Sequence, residues 1–150
     1  MIRIFIAAVL YLISFFTQAQ GPSNQENDAE AQPSISITTN IKQLKSDNGT
    51  VYFALYRSEE DFMNRKYFQA KKSLADKNGV SVVFEGIPQG VYAISCYYDE
   101  NDNGKMDFDQ NGMPLEAYGS SNNVTHYGPP RFSDAKFVVS DKDLTFEIKF

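Results

Sequence analysis

Apolar and polar positions alternate along the chain from Ser34 onward. Ile35, Ile37, Thr39 and Ile41 interleave with Ser36, Thr38 and Asn40, the period of a half-buried β-strand. Val51, Phe53 and Leu55 alternate with Tyr52, Ala54 and Tyr56, and Ser46-Asp47-Asn48-Gly49 lies between the two runs as a turn. Together these predict a first hairpin. Ser58 precedes Glu59, Glu60 and Asp61, a cap and acidic first turn that predict a short helical crossover over residues 59–70. Asn78-Gly79 turns the chain into a strand over residues 80–84. A tight connection follows over residues 86–90, and then the longest strand over residues 91–98. Its two faces carry Tyr92, Ile94, Cys96 and Tyr98, and Val91, Ala93, Ser95 and Tyr97. Residues 136–139 and 144–150 predict a last hairpin around Ser140-Asp141-Lys142-Asp143.

At least six strands with regularly spaced turns, and no helix with a full apolar stripe, predict an all-β fold. The economical form is an antiparallel β-sandwich, Ig-like or prealbumin-like. Its expected core is Ile35, Ile37, Val51, Phe53, Leu55, Val82, Phe84, Tyr92, Ile94, Cys96, Phe137, Val139, Phe146 and Ile148. No internal repeat is present.

The first 33 residues break this pattern. Arg3 is followed by an almost wholly apolar run over residues 4–16, and Thr17 and Ala19 place small residues before Gln20. This is the secretory pattern, with cleavage expected between Ala19 and Gln20; the run is short for a membrane span, so an uncleaved anchor is the lesser alternative. No Cys follows to accept a lipid. Residues 20–33 contain no aromatic or branched apolar side chain and predict a disordered linker. The folded domain is therefore expected at residues 34–150. The localisation expected is exported, periplasmic or extracellular, with no membrane contact after cleavage.

Composition narrows the chemistry. Fourteen Lys and Arg face nineteen Asp and Glu, a net charge of −5; losing Arg3 with the leader leaves thirteen against nineteen, or −6. That balance argues against nucleic-acid phosphates as partners. One Cys and one His rule out a disulfide framework, a Cys-based zinc cluster and a multi-His metal site.

Residues 99–131 have little strand character and far exceed the usual loop of at most about 12–15 residues, so any chemistry is expected there. The sharpest pattern is Asp99-Glu100-Asn101-Asp102-Asn103-Gly104-Lys105-Met106-Asp107. Alternate residues Asp99, Asn101 and Asn103 offer oxygens to one centre, and Gly104 permits the sharp turn. Lys105 offers a backbone carbonyl, and Asp107 follows at position nine, as in the first half of an EF-hand loop. Position twelve is Gln110 rather than a bidentate Glu, which leaves Asp109, the more distant Glu116 or water to complete the shell. The expected ligands of one structural Ca²⁺ are Asp99, Asn101, Asn103, Lys105, Asp107 and Asp109. The competing reading is an Asn/Gly turn that needs no metal.

Three other features weigh less. His126 could be paired with Ser120 or Ser121 in a hydrolase triad, but the nucleophile-elbow motif is missing. Cys96 lies on the inner face of the long strand and reads as a small core residue. Tyr97, Tyr98, Tyr118, Tyr127, Phe108 and Phe132 bracket the loop; packing it onto the sandwich is the main reading, stacking on sugars or a partner the other.

The chain resembles the bacterial domain of unknown function 2141 family. The resemblance rests on Gly49-Thr50-Val51-Tyr52-Phe53-Ala54-Leu55-Tyr56, Phe84-Glu85-Gly86-Ile87-Pro88-Gln89-Gly90-Val91-Tyr92-Ala93 and the Asp99 to Asp107 pattern. It continues through Gly112-Met113-Pro114-Leu115-Glu116-Ala117-Tyr118-Gly119, Ser121-Asn122-Asn123, Gly128-Pro129-Pro130 and Phe132-Ser133-Asp134-Ala135-Lys136-Phe137. It implies an exported β-sandwich and assigns no activity. The stretch from Phe84 to Tyr92 is also similar to transthyretin-like and adhesin B-type modules, where it joins two strands and calcium loops often follow. Two functional classes stand: a non-catalytic module with a structural calcium and a long loop facing a protein or glycan partner, or a hydrolase using the Asp/Asn/His loop. Oxygen ligands are abundant and a nucleophile–base pair is absent, which favours the first.

Overall fold

The computed structural model describes residues 34–124 and 129–150. The expected leader, the linker, and His126 and Tyr127 lie outside the described residues. Two sheets pack face to face. The smaller has the order β4-β1-β8 and the larger β3-β2-β5-β6, with β7 also paired to β5. The strands are β1 (Ile35–Ile41), β2 (Thr50–Tyr56), β3 (Gln69–Leu74), β4 (Val80–Ile87), β5 (Gly90–Asp99), β6 (Tyr118–Ser120), β7 (Phe137–Val139) and β8 (Leu144–Glu147). Two short helices, α1 (Glu59–Met63) and α2 (Phe132–Ala135), and a 3₁₀ turn at Ser121–Asn123 complete the fold. All pairs are antiparallel except β1 with β8.

Both expected hairpins are replaced by crossings between the sheets. β1 pairs with β4 and β8, and β2 pairs with β3 and β5. Residues 42–49 are too long for a two-residue turn and arch over one end of the core instead. Leu44 is buried beneath this arch. The Tyr98 hydroxyl bonds the Ser46 hydroxyl at 2.9 Å and donates to the Asn48 carbonyl, holding the arch down. Likewise β7 joins the larger sheet and β8 the smaller, with the Asp143 carboxylate accepting from Ser36 N at 2.8 Å. Val139 and Ile148 thus enter the core from opposite sides, both 1% exposed.

The helical crossover is shorter than the expected 59–70. Ser58 Oγ accepts from Asp61 N at 3.1 Å, as its cap position implies. The helix ends at Met63, Arg65 takes φ +56°, and the chain returns as β3 along β2. Gln69-Ala70-Lys71-Lys72-Ser73-Leu74 shows no apolar alternation because β3 is a sheet edge, where lysines oppose further strand addition.

The core is continuous. Of the expected members, Val82, Phe137 and Phe146 are partly buried against it and the rest are buried. Ile41, Leu44, Val80, Ile87 and Tyr98 add to it.

Candidate functional site

β5 is the central strand of the larger sheet, and its last residue, Asp99, opens the loop. The Asp99 side chain is fully buried at the base. Its Oδ1 accepts from Asn103 N at 3.1 Å and its Oδ2 from Gly104 N at 2.8 Å. Asp102 at φ +57° and Gly104 at φ +80° bend the chain back over it. Asn101 Oδ1 accepts from Asn103 N and Asn103 Oδ1 from Lys105 N, each at 3.0 Å. These side chain-to-backbone turns are why Asn recurs at alternate positions. The amide nitrogens of Asn101 and Asn103 both donate to Asp107 Oδ2 at 2.7 Å.

Glu116 arrives on the return of the loop, two residues before β6. Its Oε1 accepts from Glu100 N and its Oε2 from Asp107 N, both at 3.2 Å. Burial pushes its pKa up, the neighbouring Asp99 and Asp107 charges add to the rise, and the two backbone N–H bonds oppose it. Asp109 is engaged elsewhere. Its Oδ1 accepts from Asn111 N and Met113 N at 2.8 Å, closing a small turn in which Phe108 bridges Pro114. The Met113 N–H bond leads the lowering of its pKa.

The structure therefore brings Asp99, Asn101, Asn103 and Asp107 together, as the spacing implies. Lys105 meets this set through its backbone N–H. Asp109 belongs to the next turn, and Glu116 is the carboxylate against the loop. Among the described residues, no three His, Cys, Asp or Glu side chains form a metal cage by themselves. Carboxylates and two Asn side chains meet here, the amide nitrogens facing Asp107 and the amide oxygens accepting backbone N–H groups, so each Asn must turn to offer its oxygen to an ion. Hard oxygen donors of this kind suit Ca²⁺ rather than zinc or copper.

The other singled-out residues fall into place around this loop. Ser121 is fully buried, accepting from Ile94 N at 3.0 Å and donating to the Ala135 carbonyl. That engagement removes it as a free nucleophile. Cys96 is 3% exposed and burial pushes its thiol pKa far up, the opposite of a reactive cysteine. Tyr98 is core, Phe108 is 48% exposed, and Tyr97 and Tyr118 stand half-buried on the outer face of the larger sheet. Tyr52 shares that face and carries no local motif; only its place in the strand alternation marks it.

A two-sheet β module with an acidic and amide-rich loop at the end of its central strand is the class defined by this geometry. The chain belongs to the family of uncharacterised proteins conserved in bacteria (DUF2141), whose model matches residues 39–147. No curated protein and no solved structure matches it. Among the described residues, no helix is long and apolar enough to cross a membrane.

Proposed function

We propose that the chain is an exported, non-catalytic binding module, periplasmic or extracellular, in which one Ca²⁺ ties the 99–107 loop to the sandwich. The observation that supports this reading is the gathering of Asp99, Asn101, Asn103, Asp107 and Glu116 on one loop, with Asp99 and Glu116 buried. On binding, the Asn101 and Asn103 side chains would turn their oxygens from the backbone N–H groups of Asn103 and Lys105 to the ion and release their nitrogens from Asp107. In this reading Asp99, Asn101, Asn103, Asp107 and the Lys105 carbonyl bind the ion, with Glu116 or water completing the six to eight oxygens it accepts. The role is structural, because like charges on Asp99, Asp107 and Glu116 repel without a cation. A hydrolase would have to work through His126 with Ser120 or Ser121, and the Ser121 hydroxyl is already committed to Ile94 and Ala135.

Thermal unfolding of the chain from Gln20 onward tests this, in EDTA, in excess calcium and in magnesium. At about tenfold above a dissociation constant near 10⁻⁴–10⁻³ M, linkage gives roughly 1.4 kcal/mol. That corresponds to a rise in Tm of several degrees. Magnesium, which demands a tighter octahedral shell, should do much less. The double variant Asp99→Ala, Asp107→Ala should lose the response. A midpoint indifferent to calcium, or a double variant that responds equally, would leave only an Asn/Gly turn.

A further inference from the structure

The larger sheet turns one face away from the core, and opposite charges stand at its two sides. One row across it runs from Leu74 on β3 through Thr50 on β2 to Asp99 at the end of β5. The next runs from Lys72 through Tyr52 and Tyr97 to Tyr118 on β6. The strand neighbours Val51, Phe53, Cys96 and Tyr98 are buried in the core, so both rows point to the outer face. Asp99 is nonetheless fully buried and accepts from Asn103 N and Gly104 N, so the loop after β5 folds over that end of the face. Residues 99–116 carry six acids and one Lys. On the opposite side, the turn after α1 and the edge strand β3, residues 65–74, carry Arg65, Lys66, Lys71 and Lys72 and no acid. The ion pairs among the described residues use Lys42, Lys45 and Lys77 and none of these four. Each side also exposes apolar side chains: Leu74 beside the lysines, and Phe108, Met113 and Leu115 on the loop. Between the two sides the Tyr52 and Tyr97 rings lie 5.1 Å apart at 12°. Their faces cover each other, so they offer ring edges and hydroxyls outward.

We propose that this face is an interface between two copies of the chain, a two-fold dimer in which the 99–116 loop of each copy meets the partner's Lys72 and the partner's Leu74 across the tyrosine row. Charge complementarity selects this occupant, because the chain itself carries both halves of the match. An isologous contact makes every pairing twice, so a patch of each sign on one face satisfies both at once and leaves nothing open to propagate a fibre. The charges also fix the axis. A two-fold along the strands, between β2 and β5, lays β6 and the loop of one copy over β3 of the other. A two-fold across the strands would set lysine over lysine. Leu74 and Asp99 share a row, so the first arrangement brings the loop to the Leu74 end of the partner's β3. The tyrosine pairs then meet at the axis through their edges and hydroxyls. Four strands about 4.8 Å apart give a face only about 15–20 Å wide. That is at the lower end of what a specific interface needs, so the dimer is weak and reversible rather than obligate. The proposal goes beyond the binding-module reading and does not depend on the calcium.

Sedimentation equilibrium of the chain from Gln20 onward, over a range of concentrations in EDTA, tests it. A monomer–dimer equilibrium is expected, tighter in about 0.01 M salt, where charges act over about 30 Å, than in 1 M, where they act over about 3 Å. Lys72→Glu should raise the dimer Kd about tenfold or more, because symmetry repeats the like-charge contact. Lys142→Glu makes the same change of charge in the exposed turn between β7 and β8 and should leave the Kd unchanged. Tyr97→Ala should weaken the dimer while its melting curve shows the fold intact. Zero-length carbodiimide cross-linking of mixed ¹⁵N-labelled and unlabelled chains then reads the orientation. Bonds between copies should join Lys71 or Lys72 to acids of residues 99–116. A chain that stays monomeric at every concentration reached, equal weakening by Lys72→Glu and Lys142→Glu, or cross-links between copies at other segments would each overturn the interface. A dimer whose melting midpoint ignores calcium keeps this inference and removes the calcium; a monomer stabilised by calcium does the reverse.

Discussion

Ser121 stands where β5 has left one strand partner and not yet met the next. β7 pairs with β5 over Gly90–Tyr92 and β6 over Ser95–Tyr97. In the gap, Ile94 N donates to the Ser121 hydroxyl instead of to a neighbouring backbone. Asn122 and Asn123 extend the clasp. Asn122 Nδ2 donates to the Asp134 and Lys136 carbonyls, both at 3.0 Å; Asn123 Nδ2 donates to Glu147 O at 2.7 Å and its Oδ1 accepts from Lys149 N at 2.8 Å. Both residues take positive φ, which Asn tolerates better than most side chains. Ser121→Ala would strand a buried N–H and a buried carbonyl, so it should cost about 1–3 kcal/mol in urea unfolding. A loss under about 0.5 kcal/mol would mean that water or a shifted backbone takes the hydroxyl's place. The residues of this clasp are conspicuous in the sequence, but their job is not. Their partners lie 12 to 27 positions away, beyond any local pattern.

At the scale of elements, the strands that bury one face were legible because alternation records burial directly. β1, β2, β4 and β5 all follow it. β3 and β6 were hidden for opposite reasons: β3 is a polar edge, and β6 is only Tyr118–Ser120 inside a long connection. Pairing was less legible than existence. Adjacent strands invite a hairpin, yet the arch over residues 42–49 sends β2 to the other sheet. Gly49 makes that arch fit against the candidate loop. It has φ +91°, and a Cβ there would sit 2.2 Å from the Asp99 carbonyl oxygen. Gly104 also has a positive φ, +80°, but nothing lies within 4 Å of its added Cβ. Gly104→Ala should therefore cost only the conformational penalty, about 1 kcal/mol. Gly49→Ala should cost clearly more, about 2–4 kcal/mol, because backbone must move to relieve the clash. Equal losses in paired denaturation curves would show that the arch yields freely and does not brace Asp99.

For the molecule as a whole, the candidate loop was legible in one half and not the other. Asp99 to Asp107 is a local spacing, so its convergence could be read from order alone. That Glu116, rather than Asp109, comes to rest against it depends on the turn around Phe108 and Pro114, which only folding reveals. Cys96 links this loop to global stability. It lies three residues before Asp99 on β5, 3% exposed, between the sheets, with burial holding the thiol protonated. Alkylation must then wait for the sandwich to open, and its rate should follow the population of the open state. Iodoacetamide labelling followed by mass spectrometry should be slow in buffer and fast in denaturant. If the loop binds calcium as proposed, an ion concentration about tenfold above its dissociation constant should slow labelling about tenfold, because the opened chain no longer holds the ion. Labelling that is slow but indifferent to calcium, while the melting midpoint rises, would mean that β6 peels from β5 locally and exposes Cys96 without disturbing the loop. Rapid labelling in native buffer would contradict the burial of Cys96 itself.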